Sequence, residues 1–298
     1  MPRRSDTTTE QLDLFIADLV DVPLRDQRDL MAVPTFALGK QRRIEPIRYQ
    51  RGDVWLEVTA PAEFGIATIW DADVLLWCVS QINEAIERGK PHSSRLEFQP
   101  YNLLRAVHRG TSGRHYEELR AALNRLRATT VRTNMRVPGG RKTATFGWLE
   151  SWREDLDDQG RSQGIIVELP QWLYEAVRDQ QVLSISPEYF EITSGLARWL
   201  YRVVRKHAGR QQAGWTFTFR DLHEKSGSTQ RFSDFARQLR AIADADQLPE
   251  YHLTKFKGER GDVCLHAVRR TLLAASHPAH DDRLRTSQKR TAPAKGTA

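Results

Sequence analysis

Cysteine is scarce in this chain. Only Cys78 and Cys264 occur in 298 residues, in apolar settings far apart. That excludes a disulfide framework and a thiolate zinc site. Long apolar runs are also missing. No segment approaches the ~18 uninterrupted apolar residues of a membrane span. Met1-Pro2-Arg3-Arg4-Ser5-Asp6 leads into a polar stretch rather than a signal peptide. The expected compartment is the cytoplasm, with no membrane partner.

Catalytic signatures are absent as well. There is no Gly-x-x-x-x-Gly-Lys-[Ser/Thr] loop to cradle ATP phosphates. No His-hydrophobe-His pair exists for the metal of a DNA nickase. His277-Pro278-Ala279-His280 reads as stray histidine in a tail, and Tyr201 as a packing residue beside Trp199 and Val203. His266-Ala267-Val268-Arg269 matches a fragment of a tyrosine recombinase, yet no Tyr follows Arg269 to act as nucleophile. Glu154-Asp155-Leu156-Asp157-Asp158 reads as a solvated acidic loop rather than a cation site. The expectation is a protein that is not an enzyme, with no cofactor and no metal.

What is present is positive charge, unevenly spread. The formal net charge is +7. Residues 1–30 carry four basic and seven acidic side chains, and 276–298 carry five and two. Between Arg105 and Lys142 ten Arg or Lys stand against only Glu117 and Glu118. A local excess of this kind neutralises phosphates. Hydrophobic residues make up 40% of the chain and eight are Trp, enough for two cores of ordinary size.

The periodicity predicts an α+β fold. Alternation around Arg51-Gly52-Asp53 gives a hairpin between Arg42 and Val58. Val74, Leu75, Trp77, Cys78, Ile82 and Ile86 give a helix over Asp71–Arg88 that stops at Gly89. A short helix (Tyr101–His108), a turn through Gly110-Thr111-Ser112-Gly113, and a second helix (Arg114–Ala128) follow. A ribbon from Thr129–Val137 and Lys142–Trp148 completes the order of a winged helix. After a bridging strand near Ile165–Leu169 and a helix over Gln171–Arg178, the order recurs. Helices are expected at Ser194–His207, Phe219–Lys225 and Gln230–Asp244, with Thr229 as a cap, then a ribbon from Tyr251–Phe256 and Val263–Val268. Tyr116, Glu118, Leu119, Leu123 and Leu126 match Phe232, Asp234, Phe235, Leu239 and Ile242 at one constant offset.

The expected architecture is therefore two tandem winged-helix domains related by a pseudo-twofold duplication, 31–182 and 183–275. A flexible acidic segment (1–30) precedes them and a disordered basic tail (276–298) follows. Tyr116, Leu119, Leu123 and Leu126 form one buried stripe, so Arg114, Glu118, Ala121 and Arg125 face outward, with His115 at the helix start. The equivalent face of the second module carries Gln230, Asp234, Arg237 and Ala241, flanked by Arg231 and Arg240. Arg and Gln suit guanine and adenine edges, and a carboxylate can accept from cytosine. Arg132, Arg136, Arg141 and Lys142 of the first ribbon, and Lys255, Lys257 and Arg260 of the second, are expected on phosphates.

At these residues the chain resembles the replication initiator protein A family of bacterial plasmids. The resemblance rests on Phe36-Ala37-Leu38-Gly39-Lys40, on Gly65-Ile66-Ala67-Thr68-Ile69-Trp70-Asp71-Ala72-Asp73, on Tyr116–Leu126 and on Arg205-Lys206-His207-Ala208-Gly209. It covers about residues 31–256, as expected of a full-length member. It implies binding to directly repeated sites in double-stranded origin DNA, opening of an adjacent AT-rich segment, and recruitment of host proteins such as the initiator ATPase and the replicative helicase. It also implies self-association, with dimers repressing the protein's own promoter. In this reading the second module supplies more of the base readout, while the first grips backbone and mediates dimer contact. Gln11-Leu12-Asp13-Leu14-Phe15 is similar to the peptide by which replication proteins bind the polymerase sliding clamp, Leu14 and Phe15 entering an apolar pocket. An amphipathic helix on Leu12, Phe15, Ile16 and Leu19 is the alternative. A winged-helix transcriptional repressor is the rival function, expected to bind one palindrome as a stable dimer.

Overall fold

The computed structural model describes residues 14–135, 143–209 and 211–281. The chain divides into two compact units, Met1–Ile185 and Ser186–Ala298. The first contains β1 (Leu14–Ile16), β2 (Arg25–Gln27), β3 (Ile47–Arg51), β4 (Val54–Thr59), α1 (Ala72–Glu87), β5 (Arg95–Phe98), α2 (Pro100–Ala106) and α3 (Gly113–Ala128). It continues with β6 (Thr130–Thr133), β7 (Ala144–Gly147), β8 (Ser151–Leu156), β9 (Ser162–Glu168), α4 (Gln171–Arg178) and β10 (Val182–Ser184).

The central element is α1. It is buried on nearly every side, Val74, Leu76, Trp77, Cys78 and Ile82 included, as expected of a core helix rather than a one-faced surface helix. Its end is set by Gly89, whose φ of +63° is open to glycine at little cost, while Lys90 N–H reaches back to the Ala85 carbonyl. Burial also holds the Cys78 thiol far above its usual range.

Among the described residues, two four-stranded sheets and a small ribbon complete the unit, in the orders β1-β5-β9-β8, β3-β4-β6-β7 and β10-β2. This corrects the expected ribbon. The hairpin β6–β7 does follow α3, but β6 pairs with β4 and so extends the β3–β4 hairpin. The strand pair that returns to β5 is β8–β9. Burial explains the choice. Gly164-Ile165-Ile166-Val167 is buried without alternation and needs a central position between two strands. In β6, Val131 and Thr133 are buried while Arg132 is exposed, the one-sided pattern of a surface sheet. The acidic stretch expected as a loop, Glu154 to Leu156, is thus strand.

The segment expected to be flexible is folded where it is described. Phe15 is 7% exposed and sits opposite Leu96. The Gln81 side chain clasps the backbone of Leu19 in both directions, and Ser80 Oγ accepts from Arg25 N–H. Leu14–Asp29 is thereby tied to α1 and β5.

The second unit contains α5 (Gly195–Ala208), β11 (Trp215–Thr218), α6 (Phe219–Ser226), α7 (Phe232–Ala245), β12 (Tyr251–Lys257) and β13 (Val263–Arg269). Ser194 caps α5 and Thr218 caps α6 through their hydroxyls. The α6–α7 turn passes through Gly227 at φ +60°, and α7 starts after Arg231 without the expected side-chain cap from Thr229. Trp199, Tyr201, Phe217, Phe219, Phe235 and Leu265 fill the core. Part of the expected tail is ordered too: His280 donates to the Leu273 carbonyl and the His277 ring lies 4.9 Å from that of His252.

Strand order in the second unit is β11-β13-β12. Helix, strand, helix, helix, strand, strand, with the last strand central, is its connectivity. The first unit follows the same order through α1, β5, α2, α3, β8 and β9, with the β6–β7 hairpin of the other sheet inserted between α3 and β8.

Candidate nucleic-acid interface

In the second unit, Phe235, Ala236, Leu239 and Ala243 bury one side of α7. Ser233, Arg237, Arg240, Ala241 and Asp244 are exposed on the other, one stripe at helical spacing. Arg237, with its side chain 76% exposed, meets Asp234 at 3.1 Å. An exposed pair of this kind contributes little to stability, so its guanidinium can be given to a ligand at small cost. Arg240 lies over the Phe219 ring at 5.7 Å, and Arg220 over Phe232 at 5.0 Å. At these distances each guanidinium is attracted to the ring face.

Gln230 and Arg231 are exposed in the turn before α7. The turn is pinned, because the Gln230 carbonyl accepts from His223 Nε2 and its N–H donates to Ser228 Oγ. In the ribbon, Lys255 pairs with Asp244 of α7, while Lys257 and Arg260 are exposed with no ion-pair partner among the described residues.

The first unit differs. Along α3, Leu119, Leu123 and Leu126 are buried as the spacing predicts, with Ala122 beside them, while Tyr116 is half-buried; Arg114 pairs with Glu118 at 2.9 Å on the exposed side. Arg125 is not on that side. Its Nε and Nη2 donate to the two carboxylate oxygens of Asp71 at 2.7 and 2.8 Å. Asp71 is 2% exposed, so this guanidinium serves a buried carboxylate rather than a base edge. The Asp71 bond also raises the already high pKa of Arg125.

Neighbouring α3 side chains are occupied as well. Arg120 makes two bonds to Glu154 of β8, at 2.6 and 2.9 Å, and this bond holds the Glu154 carboxyl below its usual range. Asn124 accepts from the indole N–H of Trp152, and Thr129 Oγ1 accepts from Ala67 N–H. His115 closes the turn before α3 by sharing a hydrogen bond with Ser112 Oγ at 2.8 Å. Its ring lies where a Cβ on Gly110 would come within 2.5 Å. Asp71, Arg120, Asn124 and Glu154 were missed by sequence reasoning. Only Asp71 had a local signal, the Thr68-x-x-Asp71 spacing, in which Thr68 N–H donates to Asp71 and Asp71 N–H to Thr68 Oγ1.

The β8–β9 ribbon, which returns to β5, bears Asp155, Asp157 and Asp158 against Arg153 and Arg161. Arg161 is itself bound to Asp157 at 2.7 Å. This ribbon carries more acid than base, whereas the second unit's sets Lys257 and Arg260 against Glu259 and Asp262. Of the cations expected in the first ribbon, Arg132 lies on the other sheet, 3.5 Å from Glu57, which also holds Arg48 at 3.0 Å. Arg136, Arg141 and Lys142 lie outside the described residues. So do Gln11, Leu12 and Asp13, while Leu14 is half-buried and Phe15 buried in β1. Among the described residues no cluster of three His, Cys, Asp or Glu is placed to hold a metal, and no helix is long and apolar enough to cross a membrane.

The sequence profile of the family described as Replication initiator protein A matches residues 25–253. The chain belongs to that family. It is 33% identical over 247 residues to a protein of Wigglesworthia glossinidia brevipalpis provisionally named as a replication protein, covering 81% of this chain and 88% of that one. Among solved structures, domains 2 and 3 of RctB share its fold. One crystal structure superposes with a TM-score of 0.56 at 18% identity, over 79% of this chain and 94% of that one. A second gives 0.54 at 13% identity, over 80% and 96%.

Proposed function

We propose that this member of the family initiates replication of a plasmid by gripping directly repeated sites in double-stranded origin DNA through two winged-helix units. Membership of the initiator family and the repeated connectivity support that reading. The observation that carries the division of labour is the contrast between the two reading helices. The exposed face of α7 offers Gln230, Arg231, Arg237 and Arg240, with Lys255, Lys257 and Arg260 on its ribbon, whereas α3 spends Arg120, Asn124 and Arg125 on its own protein.

In this mechanism α7 enters the major groove and Arg237, released from Asp234, donates to a guanine edge. Lys257 and Arg260 neutralise phosphates and fix orientation without reading sequence. The first unit contributes Arg114 and the exposed start of α3, while its acidic ribbon stays off the backbone. Strand opening then draws on binding energy and on host partners rather than on nucleotide hydrolysis in this chain. Capture of the sliding clamp through Gln11–Phe15 requires β1 to leave β5, since Phe15 is buried there.

Footprinting across the parent replicon tests this reading. Protected tracts recurring in direct orientation at a fixed interval are expected. A single protected palindrome would instead favour a transcriptional repressor.

A further inference from the structure

Two stretches of the first unit that have no role in the proposed mechanism meet at one place on its surface. Ala37 and Thr68 bridge in parallel, Ala37 N–H donates to the Ala67 carbonyl at 2.9 Å, and Ile69 N–H donates to the Ala37 carbonyl at 2.9 Å. This pairing sets Phe36–Lys40 beside Gly65–Trp70. The Lys40 ammonium lies over the Trp70 ring, 5.2 Å from its centroid. Lys40 is exposed and has no ion-pair partner among the described residues. An ammonium at this distance is attracted to the ring face, so a long side chain is localised at the surface before any ligand arrives.

Trp70 also joins this loop to the turn before α3. Arg109 Nη2 donates to the Trp70 carbonyl at 2.6 Å and to Asp73 Oδ2 at 3.0 Å. Both carboxylates at the start of α1 are therefore engaged inside the protein: Asp73, 1% exposed, by Arg109, and Asp71, 2% exposed, by Arg125. Neither faces solvent, so the surface beside Trp70 takes its sign from exposed cations. Besides Lys40 these include Arg105, in the last turn of α2, which is exposed with no ion-pair partner among the described residues. When a reading helix lies in the major groove, the helix before it crosses the phosphate backbone, and α2 is that helix.

We propose that Lys40 and Arg105 are phosphate contacts of the first unit, with Trp70 as the platform for Lys40 and Arg109 as the brace that ties it to the α2–α3 turn. The ligand is the phosphodiester backbone of duplex DNA. The assignment rests on the DNA-binding function proposed above and deepens it, giving a backbone grip to a unit whose α3 spends Arg120 and Arg125 on its own protein. Contacts of this kind set affinity and salt dependence without reading sequence.

The test is a salt series of binding to a random-sequence duplex by the full chain and four variants: Lys40→Gln, Arg105→Gln, Lys40→Arg and Lys90→Gln. Lys90 is exposed beyond the other end of the 16-residue α1, ~24 Å along its axis, so its variant removes the same charge elsewhere. Lys40→Gln and Arg105→Gln should each shallow the slope of log affinity against log salt by ~0.9 and weaken binding roughly fivefold at about 0.15 M salt, one phosphate contact apiece. Lys40→Arg and Lys90→Gln should keep the wild-type slope. All four should melt within about 2 °C of wild type, because the altered side chains are exposed. A wild-type slope in Lys40→Gln, equal shifts in Lys40→Gln and Lys90→Gln, or a slope change that appears only with a large fall in melting temperature would each overturn the contact, while wild-type DNA binding stands. A wild type that binds no duplex at any salt would overturn the proposed function as well.

Discussion

Replacing Arg125 by alanine separates two roles for this residue, holding α3 to α1 or reading a base. In the structure its guanidinium makes two short bonds to Asp71, whose side chain is 3% exposed while that of Arg125 is 26% exposed. Removing the guanidinium leaves Asp71 with the Thr68 N–H bond and no other cationic partner among the described residues. Losing one partner of a buried ion pair costs about 3 kcal/mol, toward the low end here because Arg125 is partly solvated. For a unit of this size each kcal/mol lowers the melting temperature by ~2–4 °C, so the first unit should melt about 6–12 °C lower. Arg125→Lys keeps the charge but loses the paired geometry, and should fall between wild type and alanine. Calorimetry on the full chain reads the shift. A melting temperature that stays put, together with altered base preference on selected DNA, would refute the buried-clasp argument.

Three further outcomes follow from the same geometry. Lys257→Ala with Arg260→Ala should weaken binding to all sequences alike and reduce the slope of log affinity against log salt by about 1.8, two phosphate contacts at ~0.9 each; loss confined to one base pair, measured over a set of variant sites, would contradict the ribbon assignment. Phe15→Ala should lower the stability of the first unit by ~3 kcal/mol in denaturant titration, because it empties a buried ring site under β5; unchanged stability would mean that β1 is free to act as a docking peptide. Glu154 titrates below its usual value because Arg120 binds it, so its contribution is complete above the unfolded value of ~4.3 and disappears as pH falls through the lower folded value. The stability gap between wild type and Glu154→Gln should therefore close in acid, and a gap that persists to about pH 2 would rule out that ion pair as the cause.

The elements most legible in the sequence are the helices with strong periodicity and clear punctuation. The expected spans at Asp71–Arg88, Arg114–Ala128, Ser194–His207 and Gln171–Arg178 lie within a residue or two of the observed α1, α3, α5 and α4. Strand partnership was much less legible. Pro138-Gly139-Gly140-Arg141 marks a hairpin between β6 and β7, but nothing local states that β4 will capture β6. The pairing of β5 with β9 is a contact between residues about 70 positions apart. β8 was hidden by its own composition, since Arg153, Glu154 and Asp155 look like solvated loop until the buried run of β9 needs a partner. At the site, the exposed stripe of α7 follows directly from 3.6-residue spacing. Arg125 breaks the same rule on α3 because a long side chain beside a buried carboxylate turns inward, and that carboxylate lies on another element. The segment around Leu14 and Phe15 is short and polar-flanked, so its order comes from Gln81 and Ser80 of α1 rather than from its own pattern.

The most direct test of the central claim is recovery of random duplex DNA by the purified full chain at near-physiological salt, run in parallel with Arg237→Ala and followed by sequencing. The account predicts one long asymmetric motif for the wild type, repeated in tandem on the parent replicon. In Arg237→Ala, preference should relax at one position with affinity lower by about 1–3 kcal/mol. A single palindrome, or a motif that Arg237→Ala leaves unchanged, would contradict it.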